Sequence, residues 1–198
     1  MRYLATLLAC TLCASTATAD ARGPVRLADP FVRVRPTTAL GRRVVDTGVA
    51  RSATFRGLVQ ALEDSDVIVY VDLKPSMDSD ISGKLEFMGR GGANRYLRIT
   101  VSSLHHMNML VSLLGHELQH AVEVASASDV TTPAKFATLY RRIGVPTGPG
   151  RYDSIAARTA GYTVRAELHG RERESRLARH TERDETLLDI DTGSIAMP

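Results

Sequence analysis

Gly115-His116-Glu117-Leu118-Gln119-His120-Ala121-Val122-Glu123 is the stretch on which the reading of this chain turns. It sits inside a long apolar segment, from about Leu104 or Met107 to Ala127, whose 3.6-residue spacing predicts a helix. Histidines four apart stand about one turn apart on one helix face, so both imidazoles can reach one metal ion. A glutamate directly after the first histidine can then act as general base toward a water activated by that metal.

A helical wheel separates the histidines from the acid. Leu110, Leu113, Leu114, Leu118, Ala121, Val122, Val124 and Ala125 cover most of the circumference, which predicts a largely buried helix. Asn108, Ser112, His116, Gln119, His120 and Glu123 share one narrow polar sector, and a merely solvated face would account for them. Glu117 has no such explanation. It projects into the apolar arc between Leu110, Leu113, Ala121 and Val124, where a carboxylate is costly unless a nearby group compensates for it.

A catalytic zinc site has three protein ligands and one open position. Glu123 shares the histidine face, but seven residues from His116 is about 10 Å along the axis. It reads as a partner holding a histidine rather than as a ligand. The third ligand is expected from a helix packed alongside. From Asp153 to Leu168, the residues Asp153, Ala157, Ala160, Gly161, Val164 and Leu168 form one stripe whose small members permit close approach. Asp153 begins that stripe and is the favoured ligand, although the same position suits a helix N-cap. Glu167 is the runner-up, and His169 reads as surface. The expected centre is thus Zn2+ on His116, His120 and Asp153, with Glu117 as the base.

Working outward, Ser52 caps a predicted helix through Leu62, with Phe55, Leu58, Val59 and Leu62 at helical spacing. Val67 to Val71 is a buried-strand run, and Lys84 to Met88 a second strand. Arg95 to Val101 alternates, with Leu97, Ile99 and Val101 facing one way, which predicts a half-buried strand at a sheet edge. Pro133 opens another helix that ends near Ile143-Gly144. Asp20 to about Thr47 is rich in Arg, Pro and Gly and reads as an extended lead-in with one short strand at Phe31 to Val34. Arg171 to Glu185 mixes both charge signs, as an exposed helical extension or a loose tail would.

At 198 residues the chain holds one domain, or one domain with a tail. Its 43% hydrophobic and 24% charged residues are ordinary for a globular protein, and the net charge of +3 is small. The arginines are dispersed and match no nucleic-acid motif, so no nucleic-acid partner is expected. Arg2, the apolar Tyr3 to Ala14 and the small residues Ala17-Thr18-Ala19 form a signal peptide, residues 1–19, too short for a membrane span. Cys10 and Cys13 both fall within it, so a metal site in the mature chain must use His, Asp and Glu. The expected destination is the periplasm or the cell exterior.

Two further patterns are decoys. Asp46-Thr47-Gly48 and Asp191-Thr192-Gly193 match the aspartic-protease triplet, but the chain is short for a two-lobed enzyme. His105-His106 precedes the long helix and reads as surface or capping.

His116-Glu117-Leu118-Gln119-His120, followed by a carboxylate on a later helix, resembles the zincin metallopeptidases in the gluzincin-like arrangement. Leu114 to Val124, with Tyr152-Asp153-Ser154 to Leu168, also resembles a group of uncharacterised secreted bacterial proteins. The similarity runs from near Ser52 to about Leu168, and relatives usually carry Glu where this chain has Asp153. The resemblance implies a zinc peptidase acting on a peptide or protein substrate, which an edge strand, here Arg95 to Val101, would align. It also implies an oxyanion-stabilising Tyr or His, for which Tyr96, Tyr152 and Tyr162 are candidates. A non-catalytic zincin-like scaffold that presents a surface to a partner is the alternative. The expected fold is a small α+β zincin-like domain over residues 52–169, with a short, mainly antiparallel sheet of about three strands on the buried helix. Residues 20–51 would lead in, and residues 170–198 would form a charged extension.

Overall fold

Thr38 and Ser52 punctuate the first half of the chain, each accepting a hydrogen bond from a backbone N–H three residues on and so starting a helix. The computed structural model describes residues 32–75, 77 and 81–191, with side chains through residue 175. The expected signal peptide, residues 1–19 with Cys10 and Cys13, and Thr192-Gly193 of the second triplet lie outside the described residues.

In chain order the elements are β1 (Val34–Pro36), α1 (Ala39–Arg51), α2 (Ala53–Glu63), β2 (Val67–Lys74), β3 (Gly83–Gly91) and β4 (Asn94–Ser102). They are followed by α3 (Met107–Ser126), α4 (Pro133–Ile143), β5 (Val145–Gly148), β6 (Arg151–Asp153) and α5 (Ile155–Asp191). The architecture is α+β. A four-stranded sheet has the order β1-β2-β4-β3, and β5 and β6 form a separate hairpin.

The sheet differs from the expected one in three respects. It has four strands, and two of its three pairings, β1 with β2 and β2 with β4, are parallel. The helices α1 and α2 supply the crossover from β1 to β2 that a parallel pairing demands. The strand expected at the edge, Arg95 to Val101, is β4 and lies inside the sheet. The edge belongs to β3, which pairs antiparallel with β4 through a tight turn at Gly92, whose φ is 57°. Alternation in β4 reports that one face is covered by helices, and an inner antiparallel-facing strand shows it as readily as an edge does.

The lead-in is the largest correction. Residues 39–51 are helical, and Val44, Val45 and Gly48 of α1 are buried in the same core as the sheet. A methyl on Gly48 would come within 2.6 Å of the Phe55 ring, so the glycine is what lets α1 and α2 fold back on each other. Two glycines and a pair of arginines dilute the apolar spacing of Leu40, Val44, Val45 and Val49, which hides the helix from a reading of composition. The first decoy triplet, Asp46-Thr47-Gly48, falls wholly within α1.

The core is a sandwich of the sheet's helical face against α2 and α3. Val67, Val69, Val71, Leu97, Ile99 and Val101 meet Leu110, Leu114, Leu118 and Ala121. Each such fully buried Val or Leu contributes about 1.5–3 kcal/mol, which makes α3 the best-anchored helix of the fold. On its other side α5 lays down Ala157, Ala160, Val164 and Leu168, the stripe of small and apolar residues expected from the spacing. The C-terminal carbonyls of α3 are met by Arg95, 1% exposed, which donates to Val124 and Ala127 oxygens at 2.7 Å and to Ala125 at 3.1 Å. Asp66 holds the other edge of that guanidinium at 2.8 Å.

Candidate metal centre

Because α3 buries its leucines against the sheet, its polar sector is turned toward α5 and the β5–β6 hairpin. His116 and His120 project there with ring centroids 4.9 Å apart, edge to face. Asp153, the last residue of β6, comes in from the hairpin. Its Oδ1 lies 3.2 Å from His116 Nε2 and 3.3 Å from His120 Nε2. Ligand atoms of the three residues all lie within 4.8 Å of one another.

Gly161 makes this closeness possible, since a Cβ there would sit 3.2 Å from the His116 Cβ. Asp153 is not the N-cap of α5. That role belongs to Ser154, whose Oγ accepts from the Ala157 N–H at 2.9 Å. Asp153 is thereby left free to point at the histidines.

The polar groups around the cluster are tied down one by one. His120 Nδ1 is 2.9 Å from Glu123 Oε2, and Ser154 Oγ donates to Glu123 Oε1. Glu123 thus holds the imidazole from behind, as expected, and fixes which nitrogen faces Asp153. Tyr140 stacks edge-on against His120 at 5.2 Å and donates its hydroxyl to the His120 carbonyl at 2.9 Å. Arg158 Nε donates to Asp153 Oδ2 at 2.7 Å.

Within the cluster one buried atom stays unsatisfied. Asp153 Oδ1 is buried and has no hydrogen-bond partner among the described residues. It is near both Nε2 atoms, yet no N–H is aligned along either short distance. Two imidazole nitrogens and one carboxylate oxygen converging on a common point are the donor set of a divalent transition metal, and the orphaned oxygen is what such an ion would satisfy. The residues fit the ion.

Glu117 lies beside the cluster, 6% exposed, with no hydrogen bond from any described residue. Burial pushes its carboxyl up to about 7, with His120 opposing the shift and Asp153 adding to it. The edge strand passes directly over it, since a Cβ on Gly83 would meet Glu117 Oε1 at 2.5 Å. Burial lowers the pKa of His116, helped by His120 and opposed by Asp153 and Glu123. Burial also works against the charged form of His120, but the Glu123 hydrogen bond and the charges of Glu117, Glu123 and Asp153 outweigh it and raise its pKa.

No protein-family model, curated protein or solved structure matches the chain.

The remaining candidates separate clearly. Glu167 is turned away from the cluster and accepts from Ser52 Oγ, from Thr54 Oγ1 at 2.8 Å and from the Thr54 N–H at 3.2 Å, so it reinforces the start of α2. His169 stands beside Glu172 at 3.6 Å on the surface of α5. His106 occupies the N-cap position of α3 without a side-chain cap bond. Of the three tyrosines, Tyr162 shares a groove with His116 and Asp153; Tyr96 packs at Gly91, and the Tyr152 Cβ lies close to Gly144. Sequence reasoning missed Ser154, Tyr140 and Arg158. The serine carried a usable signal, since Ser immediately before an α-helix is a strong cap.

Proposed function

We propose that the chain is a secreted or periplasmic zinc-dependent peptidase of zincin type, with His116, His120 and Asp153 as ligands and Glu117 as acid–base. The observation that carries this reading is Asp153 Oδ1, a buried carboxylate oxygen without a hydrogen bond, close to two imidazole nitrogens. Zinc at that point would supply Lewis acidity toward a carbonyl oxygen and a lowered pKa for a coordinated water.

The chain's own residues have complementary tasks. Glu117, with its carboxyl near 7, takes a proton at neutral pH and returns it to the departing amine. Glu123 and Ser154 hold His120 in one orientation, and Arg158 does the same for Asp153. The exposed edge of β3, which begins at Gly83 against Glu117, offers backbone N–H and C=O groups to an extended peptide. This is the alignment first expected of β4, transferred to the strand that has a free edge. Tyr162 is the tyrosine best situated to donate to a developing oxyanion.

A non-catalytic scaffold has no use for Glu117, because a buried carboxylate beside a purely structural site only weakens the fold. No helix among the described residues is long and apolar enough to cross a membrane. A peptide or protein is the proposed partner, and none is proposed among nucleic acids.

Metal analysis and peptide hydrolysis test this together. Purified protein is expected to carry stoichiometric zinc, to lose it in His116→Ala and His120→Ala, and to retain it in Glu117→Gln while cleavage of a quenched-fluorophore peptide disappears. Zinc-free protein, or unchanged cleavage by Glu117→Gln, overturns the reading.

A further inference from the structure

Beside the centre, a groove of about 390 Å³ runs between α3 and α5. Met109, Leu113 and His116 form one wall, and Arg158, Tyr162 and Arg165 the other. The spacing of the α5 residues places all three on one helix face, with Tyr162, 71% exposed, between the arginines.

The charge in this groove is unbalanced. Asp153 is the one acidic residue lining it, with Oδ2 bound to Arg158 and Oδ1 turned to the histidines. Arg165 makes no hydrogen bond or ion pair among the described residues. Its helical neighbours three and four residues away are Gly161, Tyr162, Leu168 and His169, so no acid on its own helix can pair with it. The neighbours of Arg158 at the same spacings are Ser154, Ile155, Gly161 and Tyr162, again without an acid, and only its Nε is engaged. Two guanidinium groups thus face the groove with donors to spare. A divalent ion on the adjacent ligands adds further positive charge.

We infer that this groove is a subsite for a substrate carboxylate, with Arg165 as its anchor and Arg158, held on Asp153, marking the end at the metal ligands. The inference rests on the peptidase reading and names the substrate class: peptides that carry an anionic group a short distance from the cleaved bond. Seven residues separate Arg158 from Arg165, about 10 Å along the helix axis. An extended peptide covers that distance in about three residues. The anion is therefore two or three residues from the bond cleaved. It is supplied either by the chain-terminal carboxylate of a short peptide or by an Asp or Glu side chain. A planar guanidinium meets either one through paired N–H···O bonds.

Binding tests this independently of cleavage. The zinc-loaded Glu117→Gln protein is titrated with three N-acetylated probes: tetra-alanine as the free acid, tetra-alanine amide, and the amide with glutamate in place of one alanine. At least one carboxylate probe is expected to bind about tenfold more tightly than the neutral amide. Arg165→Ala in the same background is expected to erase most of that difference, and Arg142→Ala, an exposed arginine on α4, to preserve it. Preference for the free acid identifies a chain terminus as the source, and preference for the glutamate amide identifies a side chain. Equal binding of all three probes overturns the subsite. So does a carboxylate preference that survives Arg165→Ala, because the metal itself would then be the anion's partner. The same titrations on zinc-free protein read the arginines alone, so a chain that takes no zinc loses the peptidase reading while the subsite is still decided.

Discussion

Two buried ionisable side chains, one on α3 and one at its C-terminal end, are treated in opposite ways. Arg95 is 1% exposed at the C-terminal end of α3, and its guanidinium is saturated by Asp66 and the last carbonyls of the helix. Glu117 is 6% exposed at mid-helix and receives no hydrogen bond from any described residue. Both are costly to desolvate. The first is offset by partners that leave no donor idle, which is how a structural charge is kept in a core. The second has no such partners, and it lies beside Asp153 Oδ1, a buried carboxylate oxygen without a hydrogen bond. An ion held between the imidazoles would satisfy that oxygen, so the contrast supports the proposed centre without reference to any motif.

The strongest way to sharpen this contrast is Glu117→Gln in the zinc-loaded protein. Peptide hydrolysis is expected to fall by about 10³-fold or more, with zinc content unchanged, as steady-state kinetics and metal analysis would register. Next comes Arg95→Ala, which strands the α3 carbonyls and Asp66. A loss of about 3–4 kcal/mol is expected in urea denaturation, and a loss below 1 kcal/mol would mean that this end of α3 needs no such cap.

Glu117→Gln should act in the opposite direction on the stability of metal-free protein. The folded pKa of Glu117, about 7, lies above its ordinary 4.5, so between these values the folded state holds a proton that the unfolded chain has lost. Its contribution is therefore fully present below pH 4.5, declines as pH rises, and is gone above about 7. The difference amounts to about 3 kcal/mol. Metal-free wild type should lose stability from pH 4.5 to 7 more steeply than metal-free Glu117→Gln, and parallel curves from the two proteins would refute the assignment.

Smallest is the effect of the groups behind His120. Glu123→Gln is expected to weaken zinc binding about 10- to 100-fold in a chelator competition, leaving the fold intact. Ser154→Ala should lower affinity less and cost about 1 kcal/mol of stability through loss of the α5 cap.

How much of this was legible beforehand depended on whether a residue's neighbours are local. His116, Glu117 and His120 declare themselves by spacing on one helix, and the acid's place in the apolar arc is a property of that helix alone. Asp153 was found from the stripe it begins, though it ends a strand rather than opening a helix. Helix α1 was hidden because its glycines look like breakers until Phe55 is known to pack against Gly48. Arg95 shares parity with Leu97, Ile99 and Val101, and so belonged to the covered face. Its partners, however, lie on the loop before β2 and the far end of α3, which no local pattern reveals. The order of the sheet, with β4 inside and β3 at the edge, is likewise a long-range fact.

The hairpin that delivers Asp153 has a consequence of its own. Two of the three donors are built into the most deeply packed helix, whereas the third arrives on β5–β6, whose first strand is exposed at every residue. Natural variation can therefore lengthen, shorten or rewrite the hairpin without disturbing the packing that holds the histidines. The geometry of the His116–His120–Asp153 cluster is thus open to change through one peripheral insertion, while the inherited core stays as it is.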